Sequence, residues 1–241
     1  SDLKHGPVEF LITVDEETGM TGANALKPGL LQGDILINLD SETEGELYVG
    51  CAGGLDASAS ASYVPAEAPE GHQCWSLAVK GFKGGHSGMD IILCRGNANK
   101  IAARILYALM TKADVKLLDL EGGTLRNAIP REAVAVIALS PDKVEQANAI
   151  VAKVQAEVQA EYSATDKDAV VFLEDAPVAA EAICQNVALN LCKALYACPS
   201  GVERMSDAMP GLVETSNNMA IVKSENGTIS VHSLMRSSVD T

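Results

Sequence analysis

The chain has 241 residues, 47% of them hydrophobic and only 4% aromatic, so a sizeable core is available and must be built from Ala, Val, Ile and Leu. Its 32 acidic residues outnumber 18 Lys and Arg, and the net charge of -14, with no opposing basic cluster, argues against nucleic acid as a partner. No apolar run approaches the roughly 20 residues a membrane helix needs, which excludes a membrane-embedded role of that kind. The opening Ser1-Asp2-Leu3-Lys4-His5 lacks the basic-then-apolar layout of a signal peptide and has no initiating Met, so the chain is expected to be a piece of a longer protein. Cys51, Cys74, Cys94, Cys184, Cys192 and Cys198 lie scattered with no CxxC pair, a pattern that predicts free thiols in a reducing cytoplasm.

In chain order, the first element is the β-branched apolar run 8–14, which predicts a buried strand ending at Asp15-Glu16-Glu17. A helix-capable stretch at 23–26 separates it from a second apolar run, 34–39, which ends at Asp40. Two such strands with a helical piece between them suggest a parallel βαβ unit, with acidic residues at both carboxyl ends. From about Gly53 the character changes. A strand at 74–81 precedes the loop Gly84-Gly85-His86-Ser87-Gly88, and a helix over 97–111 places Ile101, Ile105, Leu106 and Leu109 on one face. Strands at 116–120 and 132–139 lead to a long helix after Pro141, with Val144, Ala147, Ile150, Val151, Val154 and Val158 as its apolar stripe. A strand at 170–173, a helix at 179–196 and strands at 214–223 and 228–236 complete the pattern, with Asn226-Gly227 as a hairpin turn. The whole reads as an α/β fold whose larger part is an open-faced α/β sandwich.

Four places could carry chemistry. Carboxylates of Glu16, Glu17 and Asp40, if brought to neighbouring strand tips, could converge on a divalent metal and leave one acid to take a proton from water. Taken alone, such acids are an ordinary solvated loop. His86, freed by its glycines, could donate a hydrogen bond to an oxyanion, although a glycine-rich turn with an exposed His is the plainer reading. The third is Gly122-Gly123-Thr124-Leu125-Arg126-Asn127-Ala128-Ile129-Pro130. The fourth is the last hairpin, with Asn217, Asn218, His232 and Arg236. His232 and Arg236 share a strand face by their even spacing, and the Arg could fork onto a carboxylate or sit in a local ion pair.

Together, these stretches resemble one family. The runs Thr13-Val14-Asp15-Glu16-Glu17-Thr18-Gly19-Met20, Ile37-Asn38-Leu39-Asp40-Ser41-Glu42 and Gly50-Cys51-Ala52-Gly53-Gly54 are similar to those of the aminoacyl-histidine (Xaa-His, carnosine-type) dipeptidases, within the wider co-catalytic zinc peptidases. Lys83-Gly84-Gly85-His86-Ser87-Gly88, Gly96-Asn97-Ala98-Asn99-Lys100, the stretch 122–133 and the ending 213–237 look like the same subfamily, so the likeness runs nearly end to end. The resemblance implies that residues 1–54 are part of a catalytic metallopeptidase sheet and 55–241 an α/β sandwich lid of the dimerisation type. It implies Glu16 as general base, Glu17 and Asp40 as ligands of two zinc ions (manganese or cobalt being alternatives), and His86 as the group polarising the scissile carbonyl. Arg236, with Asn127 or Asn218, would grip the substrate. A homodimer, a dipeptide substrate and a cytoplasmic setting follow in the same way.

The family also needs a His-x-Asp motif, a bridging Asp and a C-terminal His. None of His5, His72, His86 and His232 is followed two residues later by Asp. With Glu17 and Asp40 alone, the chain is expected to bind metal weakly and to be inactive by itself. The other functional readings are a non-catalytic lid or dimerisation module and an amidohydrolase acting on a non-peptide substrate.

Overall fold

The computed structural model describes residues 4–240 except 18, 41 and 42. Thr18, Ser41 and Glu42, which complete two of the motifs above, and Ser1-Asp2-Leu3 at the start lie outside the described residues. The chain divides into two compact units, Ser1–Gly50 and Cys51–Thr241.

In the first unit the regular element among the described residues is helix α1 (Thr21–Asn24). The runs 8–14 and 34–39, expected as parallel strands, form no ladder. Their side chains lie open, with Phe10 89%, Ile12 91% and Ile35 84% exposed. A strand persists when its amides are paired and its apolar faces covered, and a parallel strand needs cover on both faces. This unit supplies neither. One tie across it is the Glu9 carboxylate, which accepts the amides of Gln32 and Gly33 at 2.9 and 2.8 Å.

The second unit is built on strands β1 (Gly53–Ser62), β2 (Ala66–Glu67), β3 (Gln73–Lys80) and β4 (Gly85–His86), then helix α2 (Ala98–Lys112). There follow β5 (Lys116–Gly122), β6 (Ala128–Ile129), β7 (Ala133–Leu139), α3 (Val144–Glu161), β8 (Val170–Asp175) and β9 (Glu181–Ala182). Helix α4 (Gln185–Ala197) and strands β10 (Gly201–Met205), β11 (Val213–Glu225) and β12 (Thr228–Ser237) close the chain. The main sheet has eight strands in the order β1-β12-β11-β5-β7-β3-β8, with β10 against β11. Every pairing is antiparallel. This is the α/β arrangement expected, with helices over one antiparallel sheet.

Its elements follow from the side chains. Ile101, Ile105, Leu106 and Leu109 are all buried along α2, and Asn97 caps that helix by accepting the amides of Asn99 and Lys100 at 3.0 and 3.3 Å. Such a cap is worth about 1 kcal/mol. On α3, Ala147, Val151, Val154 and Val158 are buried, while Val144 and Ile150 are partly so. These residues join Leu77 and Val79 of β3 and Leu117, Ala135 and Ile137 in one core. Each large aliphatic side chain buried there contributes about 1.5–3 kcal/mol. A smaller cluster of Cys74, Leu118, Ala138 and Ala182 uses the opposite pleat of β3. All six cysteines are free thiols.

Two expectations need correction. The helix expected over 179–196 begins only at Gln185, because Glu181 and Ala182 pair with Glu67 and Ala66 as short strands. Strands β1 and β10 carried no signal: Gly-Gly-Leu-Asp-Ala-Ser-Ala-Ser-Ala-Ser lacks β-branched residues, and β1 exists through an unbroken ten-residue register with β12.

Asn97, Asn99, Lys100 and Gly123, from two of the motifs, hold neighbouring main chain in place. Between Met219 and Ile221, β11 bulges against β12. Asn97 Nδ2 donates to the Met219 carbonyl at 3.0 Å, and Asn99 Nδ2 lies 3.3–3.4 Å from the carbonyls of Met219, Ala220 and Gly122. Gly123, at φ 71°, passes so close that a Cβ would lie 1.8 Å from the Ala220 carbonyl oxygen. Lys100 Nζ donates to the carbonyls of Leu195, Tyr196 and Cys198 at 2.8, 2.7 and 2.5 Å, closing the end of α4.

Candidate active-site elements

Asp15 sits in left-handed backbone at φ 60° and is used locally. Its carbonyl accepts the Met20 amide at 2.6 Å, and its carboxylate accepts the Thr21 hydroxyl at 2.9 Å, which fixes the entry to α1. Glu16 and Glu17 occupy the exposed turn that results, and Asp40 is exposed, with its amide on Asn38 Oδ1 at 3.1 Å. Because the strands that would present these acids do not form, Glu16, Glu17 and Asp40 are not gathered. Among the described residues no three His, Cys, Asp or Glu side chains form a group able to hold a metal. Glu17 and Asp40 are two carboxylate donors where a catalytic zinc normally keeps three protein ligands, so this donor set does not by itself fit the metal.

The second unit gathers its candidates. His86 lies on β4, paired with Ala128 of β6. Its Nδ1 accepts the main-chain amides of Gly88 at 3.2 Å and Met89 at 3.1 Å. A ring nitrogen that accepts two N–H groups carries no proton, so the neutral imidazole holds its hydrogen on Nε2. His86 is thereby fixed as a donor through Nε2, the form that can stabilise developing negative charge on a carbonyl oxygen.

Arg236 stands beside it. It is held on β12 between Ser216 of β11 and Gly54 of β1. A Cβ placed on Gly88 would lie 3.1 Å from both Arg236 Nε and His86 Cε1, so the absence of a side chain at Gly88 lets guanidinium and imidazole share one corner. Arg236 has no ion pair among the described residues, and its Nε is buried without a hydrogen-bond partner. The local ion pair that would make it an ordinary surface residue is thus not formed.

The asparagines frame this corner. Asn218 is 1% exposed, and its Nδ2 donates to the carbonyls of Arg126 at 3.3 Å and Ala128 at 2.8 Å, gripping the loop on either side of Asn127. The Asn218 Oδ1 is buried with no partner. Half-buried Asn127 accepts the Ser87 amide on its own carbonyl at 2.8 Å. His232 shares the strand face of Arg236 and pairs through Nδ1 with the Ser58 hydroxyl at 2.8 Å.

Sequence reasoning passed over Asp90 and Arg95. The Asp90 carboxylate accepts the His86 amide at 2.8 Å, and Arg95 donates to the Gly84 carbonyl at 2.5 Å. Only the run of glycines hinted that something presses on this backbone. None of the candidates lines a cavity of about 210 Å3 framed by Tyr63, Asp119, Glu181 and Ser224. Asn218 lines another of about 110 Å3, which falls below the ~300 Å3 of ordinary ligand pockets.

Residues 77–166 match the family model of the peptidase dimerisation domain. Over 240 residues, 100% of the chain, the protein is 42% identical to the cytosol non-specific dipeptidase of Escherichia coli (strain K12), and it covers 50% of that protein. The crystal structure of aminoacylhistidine dipeptidase from Vibrio alginolyticus matches with a TM-score of 0.83 and 42% identity, over 95% of this chain and 46% of that one. The chain therefore spans about half the length of the dipeptidases it matches, and the resemblance read from its motifs is borne out.

Proposed function

We infer that this chain is a part of a metal-dependent dipeptidase that cleaves Xaa-His-type dipeptides in the cytoplasm, with residues 1–54 belonging to its catalytic domain and 55–241 forming its lid. The observation that carries the reading is the pair of main-chain amides on His86 Nδ1, which leaves Nε2 to act as the donor beside Arg236, whose buried Nε has no partner among the described residues. Nε2–H meets the carbonyl oxygen as the peptide is attacked, and Arg236 takes the substrate's terminal carboxylate in a forked contact. Asn127 and Asn218 shape that corner. Glu16 is the acid suited to take a proton from the attacking water. A divalent metal, zinc in the family resemblance, would draw on Glu17 and Asp40 together with donors that the described residues do not gather. The dimerisation-domain match supports a homodimer.

The test is hydrolysis of an alanyl- or β-alanyl-histidine dipeptide. The whole protein as the cell makes it is expected to cleave it, and His86→Ala to lower kcat by about 10²–10³-fold, the usual cost of losing one oxyanion donor. The 241-residue chain alone is expected to show no turnover with added zinc. A whole protein that spares dipeptides but opens a non-peptide amide would move the assignment to an amidohydrolase.

A further inference from the structure

We propose that Asp90, clamped by Arg95, is the positioning residue that locks His86 as an Nε2–H donor. The inference rests on the reading of His86 as the oxyanion donor, and it adds the device that holds it. The His86 amide donates to Asp90 Oδ2 at 2.8 Å while the Asp90 amide donates back to the His86 carbonyl at 3.0 Å, so one residue holds both polar groups of the His86 backbone. Arg95 Nη1 lies 3.8 Å from the same carboxylate oxygen and donates to the Gly84 carbonyl at 2.5 Å. Carboxylate and guanidinium therefore close over Gly84-Gly85 from outside. A Cβ on Gly85 would meet Asp90 Oδ2 at 2.5 Å and Arg95 Nη1 at 2.6 Å, and Gly85 has a φ of +139°. No other residue type permits that approach.

The consequence reaches the ring. Gly88 and Met89, whose amides fix Nδ1, lie within the same turn, between His86 and Asp90. If the carboxylate is removed, the turn loses its anchor and the two amides lose their aim. Either ring nitrogen can then carry the proton, and the donor is present only part of the time. Asp90 touches neither substrate nor reacting atoms in this scheme. It acts through His86 alone.

The decisive measurement is the long-range nitrogen–proton spectrum of the His86 ring in this 241-residue chain, taken at a pH above which it no longer changes. The wild type is expected to show a single Nε2–H tautomer. Asp90→Ala and, independently, Arg95→Gln are expected to move both ring nitrogens toward the averaged shifts of a free imidazole, with His232 unchanged as the internal control. A folded Asp90→Ala or Arg95→Gln variant with the wild-type His86 spectrum overturns the proposal, as does a wild type that is already averaged. The spectrum reports the ring whether or not any dipeptide is cleaved. A locked ring in a protein without dipeptidase activity would sink the functional reading and leave the clamp standing, and an active protein with an averaged ring would do the reverse.

Discussion

The two units of this chain carry similar apolar runs and treat them in opposite ways. Residues 8–14 and 34–39 of the first unit are as rich in β-branched and aliphatic side chains as β7 or β11, yet they form no ladder and leave Ile12 91% and Leu39 88% exposed. In the second unit β1 has a far poorer composition and is a full ten-residue strand, because β12 offers it an unbroken register. The lesson is that a strand is a property of its neighbours: propensity proposes one, and a partner amide with a covered face makes it.

Substitutions should separate the two units by energy. Leu106→Ala, at a position with no exposure in the core of α2, is expected to destabilise the second unit by about 2–5 kcal/mol, read as a lowered melting transition. Ile12→Ala is expected to change the same transition by no more than about 0.5 kcal/mol. Equal effects would mean that the first unit is packed after all.

Thiol chemistry sharpens the contrast. Burial pushes the Cys192 thiol up to about 12, from an ordinary value near 9, so between those values the unfolded chain releases this proton and the folded one keeps it. The folded state then binds more protons, and stability falls as pH rises through that window, by up to about 1.4 kcal/mol per pH unit. Cys192→Ala should flatten that alkaline slope in denaturant titrations. Exposed Cys51 and Cys94 should label with a thiol reagent at once under native conditions, whereas Cys192 should label only on unfolding.

A modest effect is expected at Arg104, which joins α2 to Glu157 at 2.6 Å and Glu161 at 2.7 Å on α3. Burial pulls its pKa down, but the hydrogen bonds to the two glutamates outweigh that and raise it. Arg104→Met is expected to cost about 0.5–1 kcal/mol at low salt and less as salt is added, since the pair is part-exposed. A salt-independent loss would point to packing of the arginine stem.

Much of the second unit was legible because its signals are local. The stripes of α2 and α3 and the turn at Asn226-Gly227 follow from spacing within one element, and each is found where the sequence puts it. The candidate site was half legible. His86, Arg236, Asn127 and Asn218 were singled out, and the second unit brings them into one corner. Asp90 and Arg95 were not, because their role arises when the chain folds back within a single turn and no periodicity marks that. The motif Gly96-Asn97-Ala98-Asn99-Lys100 was legible as a motif and silent as to purpose. Its polar atoms staple the β11 bulge and the end of α4. For Glu16, Glu17 and Asp40 the sequence supplied the acids, and the second strand partner that would gather them is not formed within their unit.

Gly88 carries a consequence of a different kind. Even a methyl group there would stand 3.1 Å from the imidazole on one side and the guanidinium on the other, and one of them would have to yield by a few tenths of an ångström. The gap between the two groups is therefore gauged by bare main chain and not by a rotamer that could be swapped. A side chain at position 88 would therefore have to be answered by a shift of His86 or Arg236, since the spacing itself has no adjustable part.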